Sequence, residues 1–253
     1  MYRILFLLLF PALVYGQTAQ ETVERKLKFA KGQFQTTDQS DFIVATPYVK
    51  TYAGIAGSPF WATDIWNSAE IQYKGKVYHV SEIKYDCAND LMVISEYTKD
   101  GVVLLNLIPS LYPEIFINIK HSGNLHGNMT SEILVNREHF IFYQSTNEEE
   151  SNGVSSGYYH YLIEKHVSLL CKYSSSIVER NGLKIFNEEV RFYLQKDGKL
   201  TRIRRVGSFL DTFPQWKDKI NRFVKENDIN TLILLDSDDI EKLIEFINTL
   251  STK

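Results

Sequence analysis

Five aromatic and acidic residues give one stretch of this sequence the means to bind a ligand. The stretch GSPFWATDIWNSAEIQYKGKVYHVSEIKYD contains Trp61, Asp64, Trp66, Tyr85 and Asp86. Aromatic faces and a few well-placed polar groups are what line ligand pockets, here for a sugar or a peptide. The same rings would equally fill a hydrophobic core, because aromatic side chains dominate core energetics. A structural plug is the first interpretation of this stretch, and a solvent-facing binding platform is the second.

Hydrolysis would require more than scattered acids. A glycosidase holds two carboxylates on opposite sides of the scissile bond, whereas acids in turns usually serve to form the turn. Ser58 lies between small residues, but no recognisable Asp–His order accompanies it. The chain also lacks the GxxxxGK[ST] and GxGxxG motifs that hold nucleotides. We therefore expect no catalytic residue and no cofactor.

The histidines do not have the spacing of a metal site. None of them stands four residues from another, as two ligands on one helix face would. His121 and His126 flank a short polar segment, but no nearby Cys or Glu completes a ligand set. The six histidines are His79, His121, His126, His139, His160 and His166. We expect no metal ligand among them.

Cys87 and Cys171 are the only cysteines of the chain. A disulfide between them is compatible with an exported protein. Both also stand in apolar, strand-like surroundings, which suit buried free thiols and disfavour a reactive thiolate. The sequence leaves the disulfide and the two free thiols open as alternatives.

The first residues, MYRILFLLLFPALVYGQ, have the layout of a secretory signal peptide. Arg3 precedes an apolar run from Ile4 to Val14, and small or branched residues lead to a predicted cleavage after Gly16. The run is shorter than the about 20 apolar residues that span a bilayer. We expect residues 1–16 to be removed and the mature chain, which has no transmembrane segment, to be periplasmic or secreted.

The charge balance argues against nucleic acid as a partner. The chain has a formal net charge of −3, with 28 basic and 31 acidic residues. Nucleic-acid binding depends on basic residues that neutralise phosphates. An envelope protein or a glycan remains as a candidate partner, and the oligomeric state is open.

The middle of the chain has the pattern of a β domain. A polar segment, residues 17–40, leads into residues 41–210, where aromatic and β-branched runs alternate with turn signals. Asp-Gly and similar pairs suit tight hairpins because they tolerate positive φ. The predicted turns are Lys74–Gly75, Lys99–Gly101, Asn136–Arg137 and Lys196–Lys199. They predict an antiparallel meander of hairpins in an open or partly closed sheet.

Residues 211–253 change to a helical period. Apolar residues recur at steps of three and four in one run from Asp211 to about Glu226 and in a second from Asp238 to Leu250. The sequence therefore predicts a C-terminal helical pair packed on the sheet, and a β-rich α+β fold overall.

Several of these motifs together resemble a group of uncharacterised exported proteins of Bacteroidota-type bacteria. The similar features are GSPFW with a second Trp after it, Gly75–Lys76 followed by a Tyr, and IKYD before LMVI. The two C-terminal helices also look like theirs. The resemblance runs from about residue 50 onward, except for residues 110–175. It implies an envelope or extracellular location, and it brings no activity, cofactor or catalytic residue.

The sequence therefore favours an exported, non-enzymatic binding or interaction protein of the envelope or the extracellular space. A carrier that encloses a small apolar ligand in a curved sheet is one alternative. A glycan or peptide hydrolase is the other, and it would require acids such as Asp64 and Asp86, or His79, to meet in one cleft.

Overall fold

The computed structural model describes residues 45–49, 52–62, 64–98, 101–121, 134–230 and 236–251. The predicted signal peptide (1–16), the polar segment (17–40) and His126 lie outside these residues. Within them, all strands join one open antiparallel sheet in the order β1-β5-β4-β3-β2-β6-β7-β8-β9-β10-β11. The strands are β1 (Ala45–Pro47), β2 (Asn67–Tyr73), β3 (Lys76–Asp86), β4 (Leu91–Thr98), β5 (Gly101–Leu107), β6 (Glu114–His121), β7 (Leu134–Tyr143), β8 (Gly157–Ile163), β9 (Ser168–Arg180), β10 (Leu183–Lys196) and β11 (Lys199–Ile203). The predicted fold class, a mostly antiparallel sheet with C-terminal helices, is confirmed.

Two-residue turns with positive φ at both positions set three of the hairpins. Lys74–Gly75 joins β2 to β3, and Asp197–Gly198 joins β10 to β11, as predicted. Asn181–Gly182 joins β9 to β10, the longest hairpin of the described chain, and was not predicted. Positive φ at both central residues matches the twist of the two strands, which is why Asn, Asp and Gly recur there.

The turn predicted at Asn136–Arg137 is wrong. Both residues lie inside β7, where they pair with Ile119 and Asn118 of β6. The Arg137 guanidinium lies 4.0 Å from the Phe116 ring centre and 2.5 Å from a Glu70 carboxylate oxygen. These neighbours on β6 and β2 hold Arg137 in the strand, so the cross-strand contacts override the local turn preference of Asn.

The sheet is strongly curled. β3 and β9 are five positions apart in the strand order, so a flat sheet would hold them about 24 Å apart. Yet the Ser175 N–H of β9 donates to the Cys87 carbonyl, just after β3, at 3.1 Å. The first half of the sheet therefore folds over the second. The fold encloses a core of aliphatic and aromatic side chains that includes Ile83, Tyr85 and Phe140.

The helices cover a second core at the other end of the chain. The helices of this core are α2 (Val206–Thr212), α3 (Lys217–Glu226) and α4 (Ser237–Ser251), with a 3₁₀ turn at Pro214–Trp216 between α2 and α3. A short helix, α1 (Asn147–Ser151), lies between β7 and β8 and buries no residue. Phe209, Ile220 and Leu243 pack with Leu169 and Leu194 of the sheet. The run predicted as one helix from Asp211 is interrupted at Pro214, because proline lacks the N–H that a helix interior requires.

No helix in the described part of the chain is long and apolar enough to cross a membrane.

Candidate functional site

A bridging segment, residues 52–61, connects the two halves of the curled sheet. At one end, the Ala56 N–H donates to the Lys184 carbonyl at 2.9 Å, and Ala56 accepts from the Phe186 N–H at 3.1 Å. At the other end, the Trp61 N–H donates to the Tyr85 carbonyl at 2.9 Å. The segment therefore runs from the edge of β10 to the end of β3.

A pocket of about 210 Å³ lies beside the end of this segment. It is lined by Trp61, Ala62, Cys87, Tyr173, Ser174, Glu188, Glu189 and Val190. We call it the Trp61 pocket. Two acidic and two aromatic residues line it, and no Lys, Arg or His does. Successive side chains of a strand point to opposite faces, so the carboxylate on the face of Tyr173 and Trp61 is that of Glu188, whereas Glu189 directs its carboxylate to Arg191 and Arg202. A cavity with this lining suits a cationic group better than an anion.

Trp61 forms one wall of the pocket and also packs against the core. Its ring centre lies 5.0 Å from that of Phe140, 5.3 Å from that of His160 and 5.5 Å from that of Tyr173. The partly buried indole therefore has the contacts of the predicted structural plug, while one part of it faces the pocket.

A hydrogen-bonded chain of polar side chains runs behind the aromatic wall of the pocket, which consists of Trp61 and Tyr173. His160 Nδ1 is 3.1 Å from the Tyr173 hydroxyl, and His160 Nε2 is 2.7 Å from Glu138 Oε2. Because a carboxylate only accepts, Nε2 carries the proton, and Nδ1 accepts from the Tyr173 hydroxyl. The Trp61 ring packs against the rings of His160 and Tyr173. The network ties β7, β8 and β9 to the bridging segment.

Cys171 stands next to this network. Its sulfur lies 3.8 Å from His160 Nδ1, so Cys171, His160 and Glu138 follow one another as a nucleophile, a base and an acid would. Burial, however, raises the pKa of the Cys171 thiol to about 12, and only 1% of the residue is exposed. A thiol in such surroundings is inert. The arrangement is structural.

Of the two alternatives for the cysteines, the structure contains buried free thiols at both Cys87 and Cys171. Burial also raises the pKa of the Cys87 thiol well above its usual range, with Asp86 and Glu188 adding to the rise.

His160 should make the stability of the protein sensitive to acid. Burial lowers the pKa of His160, and Glu138 opposes that shift only in part. Below pH about 6.5 the unfolded chain takes up a proton at this position while the folded chain resists it. The unfolding free energy should therefore fall as the pH drops from 7 toward 5, by at most about 1.4 kcal/mol per pH unit for one proton.

Urea unfolding at pH 7.5, 6.5 and 5.5 would measure this effect. In His160→Gln, which keeps a donor and an acceptor, the fall should be smaller. His166→Gln is the matched control because His166 is exposed. Identical pH profiles for the protein and His160→Gln would contradict the prediction.

Asp86, one of the predicted binding residues, is inside the protein. It has no exposed surface, and its carboxylate accepts hydrogen bonds from five donors. The donors are the Tyr48 and Tyr52 hydroxyls, the Asn89 side-chain amide and the backbone N–H groups of Ala88 and Asn89. Burial and the Asp86 charge raise the pKa of both tyrosines, which therefore stay protonated donors. Asp86 anchors the chain around β3 and is not free for a ligand.

Tyr52→Phe should lower the unfolding free energy by about 1.5–3 kcal/mol, because it removes a buried hydrogen bond to a charged acceptor. Tyr97→Phe is the control, since the Tyr97 hydroxyl donates to Glu82 on the exposed surface. Urea unfolding of both variants tests the prediction, and equal losses for the two would refute it.

Tyr85 is also buried and belongs to a second internal network. Its hydroxyl donates to Asp90 Oδ1 at 2.7 Å, and Asp90 Oδ2 lies 2.8 Å from the Lys172 ammonium group. The Tyr158 N–H donates to the same carboxylate at 3.1 Å. This network joins the turn after β3 to β8 and β9, so Tyr85 supports the fold and does not reach the Trp61 pocket.

Asp64 and Trp66 lie outside the pocket, next to Lys84. The Ser58 hydroxyl donates to Asp64 at 2.8 Å, and the Lys84 ammonium group lies 3.7 Å from the same carboxylate. That ammonium group is 4.7 Å from the centre of the Trp66 ring. Of the five predicted binding residues, only Trp61 lines the pocket.

Sequence reasoning missed five of the other pocket residues, which come from β9 and β10. Asn181–Gly182 was the signal that could have found them, since a two-residue turn fixes the register of its hairpin. Counting back from it places Tyr173 opposite Val190 and Ser175 opposite Glu188, as the structure does.

A GxSxG pattern, GVSSG at Gly153–Gly157, was also missed. A nucleophile elbow needs a strand before it and a helix after it. Here the pattern follows α1 and precedes β8, and the Ser155 carbonyl accepts from the Tyr159 hydroxyl at 2.6 Å. The structural context of a catalytic serine is therefore missing at Ser155.

Comparisons with protein-family models, with curated proteins and with solved structures found no match for this chain.

Proposed function

We propose that this chain is an exported, non-enzymatic binding protein and that the Trp61 pocket binds the cationic group of its ligand. The observation that carries the proposal is the lining of the pocket, in which two aromatic rings and the Glu188 carboxylate meet without a basic side chain. Aromatic faces attract organic cations, most strongly where water is partly excluded.

The two acidic residues of the pocket lining differ in the availability of their carboxylates. The Arg191 guanidinium donates to both Glu189 oxygens, at 2.7 and 2.6 Å, and this pairing lowers the pKa of Glu189. Glu188, by contrast, has no ion pair with any basic side chain of the described residues. Glu188 is therefore the carboxylate that a cationic ligand would meet.

The observed geometry favours this function over the two alternatives. Pockets for drug-sized apolar ligands usually have volumes of about 300–1,000 Å³, and the Trp61 pocket is smaller, at about 210 Å³. A hollow of about 620 Å³ beside α3 and α4 has that size, but four of its seven lining residues are charged. For a hydrolase, Asp64, Asp86 and His79 would have to share a cleft. None of them lines the Trp61 pocket, and Asp86 is fully buried.

Export is the part of the proposal that rests on the sequence alone. It is supported by the signal-like residues 1–16 and by the resemblance to exported proteins of Bacteroidota-type bacteria. Intact-mass analysis after expression should find a chain that begins at Gln17, and a chain that retains Met1 would contradict export by cleavage.

Calorimetric titration tests the pocket. The purified protein should bind choline or α-N-acetylated arginine amide at least tenfold more tightly than citrulline amide blocked in the same way, which has nearly the shape of the blocked arginine amide but no charge. Glu188→Gln should weaken the binding of the cations by about tenfold, equivalent to about 1.4 kcal/mol.

Glu179→Gln is the matched control, because Glu179 is an exposed acid on the same hairpin but away from the pocket. It should leave the affinity unchanged. Equal binding of the blocked citrulline amide, or the same loss in both variants, would refute a cation site at Glu188.

A further inference from the structure

We propose that the ligand of this protein is an extended polypeptide, which adds as a strand to the open edge of β10 and inserts a basic side chain into the Trp61 pocket. This inference rests on the proposed function, since it assigns a source to the cation. It commits to a peptide because the pocket opens beside a row of backbone N–H and C=O groups whose alternation matches that of an added strand.

The edge of β10 is paired at its two ends and open between them. At one end, Ala56 of the bridging segment pairs with Ile185 in a parallel bridge. At the other end, β11 pairs with β10 from Phe192 onward. No strand of the described chain pairs with residues 187–191 on this side. Five residues span about 16 Å, enough for a short added strand.

The backbone groups of this open stretch face outward in a known order. Lys184 and Phe186 use their C=O and N–H to bind Ala56, so these groups point away from β9. Because the direction alternates along a strand, Glu188 and Val190 also direct their N–H and C=O groups to the open side. An added strand would find two donors and two acceptors there.

The side chains of the same two residues point to the pocket. Val190 pairs with Tyr173 and Glu188 with Ser175, so both lie on the face where Tyr173 and Trp61 form the aromatic wall. Val190 is 45% exposed, although it is apolar. A peptide strand at this edge would cover Val190 and place alternate side chains over the pocket.

Charge complementarity indicates which kind of peptide side chain would enter the Trp61 pocket. The pocket lining carries two acids and no base, and Glu188 is the acid without an ion-pair partner among the described residues. A lysine or arginine of the peptide would supply the missing partner and place its stem or its guanidinium plane against the aromatic rings. The bridging segment already adds to this edge of the sheet, so a second strand would continue a pairing that exists.

Titration with four probes separates a peptide from a free cation. The probes are N-acetyl-lysine N-methylamide, the blocked hexapeptide acetyl-TVTKVT-amide, and two versions of this peptide that are N-methylated on alternate residues. We expect the peptide to bind at least tenfold more tightly than the blocked lysine. One of the two methylated versions should lose that gain, because it removes the N–H groups that face β10.

Amide hydrogen exchange provides a readout that needs no substitution. On saturation with the peptide, exchange at the Glu188 and Val190 N–H groups should slow at least tenfold, while exchange at Gly182 in the turn stays unchanged. The exchange rates of these two amides detect pairing at the β10 edge directly, without a comparison of the affinities of different probes.

The outcomes distinguish the two proposals. If the blocked lysine binds as tightly as every peptide and the two amides stay unprotected, the strand proposal is wrong and the cation pocket stands. If neither lysine nor peptide binds, both fail. If the two amides are protected in the free protein and lose protection on dilution, a second copy occupies the edge, which overturns the peptide assignment.

Discussion

Gly157→Ala is expected to lower the unfolding free energy by about 4 kcal/mol or more, which is exceptional for the addition of one methyl group. A Cβ at this position would lie 1.8 Å from Asp90 Oδ2 and 2.1 Å from the Lys172 ammonium group. Atoms cannot approach so closely, so the Asp90–Lys172 ion pair would have to separate. Gly157 also has a φ of +143°, a conformation that is strained for any other residue.

The loss of the ion pair explains why this change should be severe. Lys172 is buried and also donates to the Ser156 carbonyl at 2.7 Å, and Asp90 binds Tyr85 and Tyr158. Separating a buried pair leaves charges without compensation, which costs about 3–5 kcal/mol. The turn after β3 would lose its attachment to β8 and β9.

Gly101→Ala is the matched control for this substitution. Gly101 has a similar φ of +122°, but a Cβ there would meet nothing within 4 Å. Gly101→Ala should lower the unfolding free energy only by the cost of backbone strain, about 1–3 kcal/mol. Urea unfolding of both variants measures the difference. Losses of equal size would mean that the packing around Gly157 relaxes and that the ion pair contributes little.

Trp61→Ala should lower the unfolding free energy by about 3–5 kcal/mol, the range for removal of a packed aromatic side chain. The indole contacts the rings of Phe140, His160 and Tyr173. Trp61→Phe keeps much of the bulk of the side chain, so it should lower the unfolding free energy by less. The measurement is urea unfolding monitored by far-UV circular dichroism, because the substitution removes a fluorophore.

Tyr97→Ala is the control for Trp61→Ala. Tyr97 is 53% exposed, and surface substitutions usually change stability by no more than about 0.5 kcal/mol. A Trp61→Ala protein with unchanged stability would exclude the role of Trp61 as a structural plug. The indole would then serve the pocket alone.

The local part of this fold could be predicted from its sequence, and the closure of the sheet could not. Lys74–Gly75 and Asp197–Gly198 determine their hairpins through the φ values of two adjacent residues, which the residue types reveal. Arg137 shows the limit of such signals, since partners on β2 and β6 decide its conformation. Those partners are distant in the sequence, and nothing in the Asn-Arg pair points to them.

The residues of the candidate site could likewise not be predicted from local sequence signals alone. Asp86 and Trp61 stand in one aromatic and acidic stretch, but the first is buried by tyrosines from upstream and the second faces β9 and β10. Whether an acid in a turn is a ligand or an anchor depends on the hydroxyls that surround it, and Tyr48 and Tyr52 precede it by more than thirty residues. The pocket exists only because the sheet curls until β3 approaches β9.

The bridging segment also has a consequence for the order in which the protein folds. Each hairpin pairs neighbours in the chain and can form quickly, whereas Ala56 must find Lys184 across most of the described sequence. Closing so long a loop costs conformational entropy before the new contact stabilises the chain. Such pairings therefore form late and slowly. Until then the whole edge of β10 up to β11 lacks its partner. The stretch that we assign to a peptide is therefore the part of a longer nascent edge that no described segment of the chain covers.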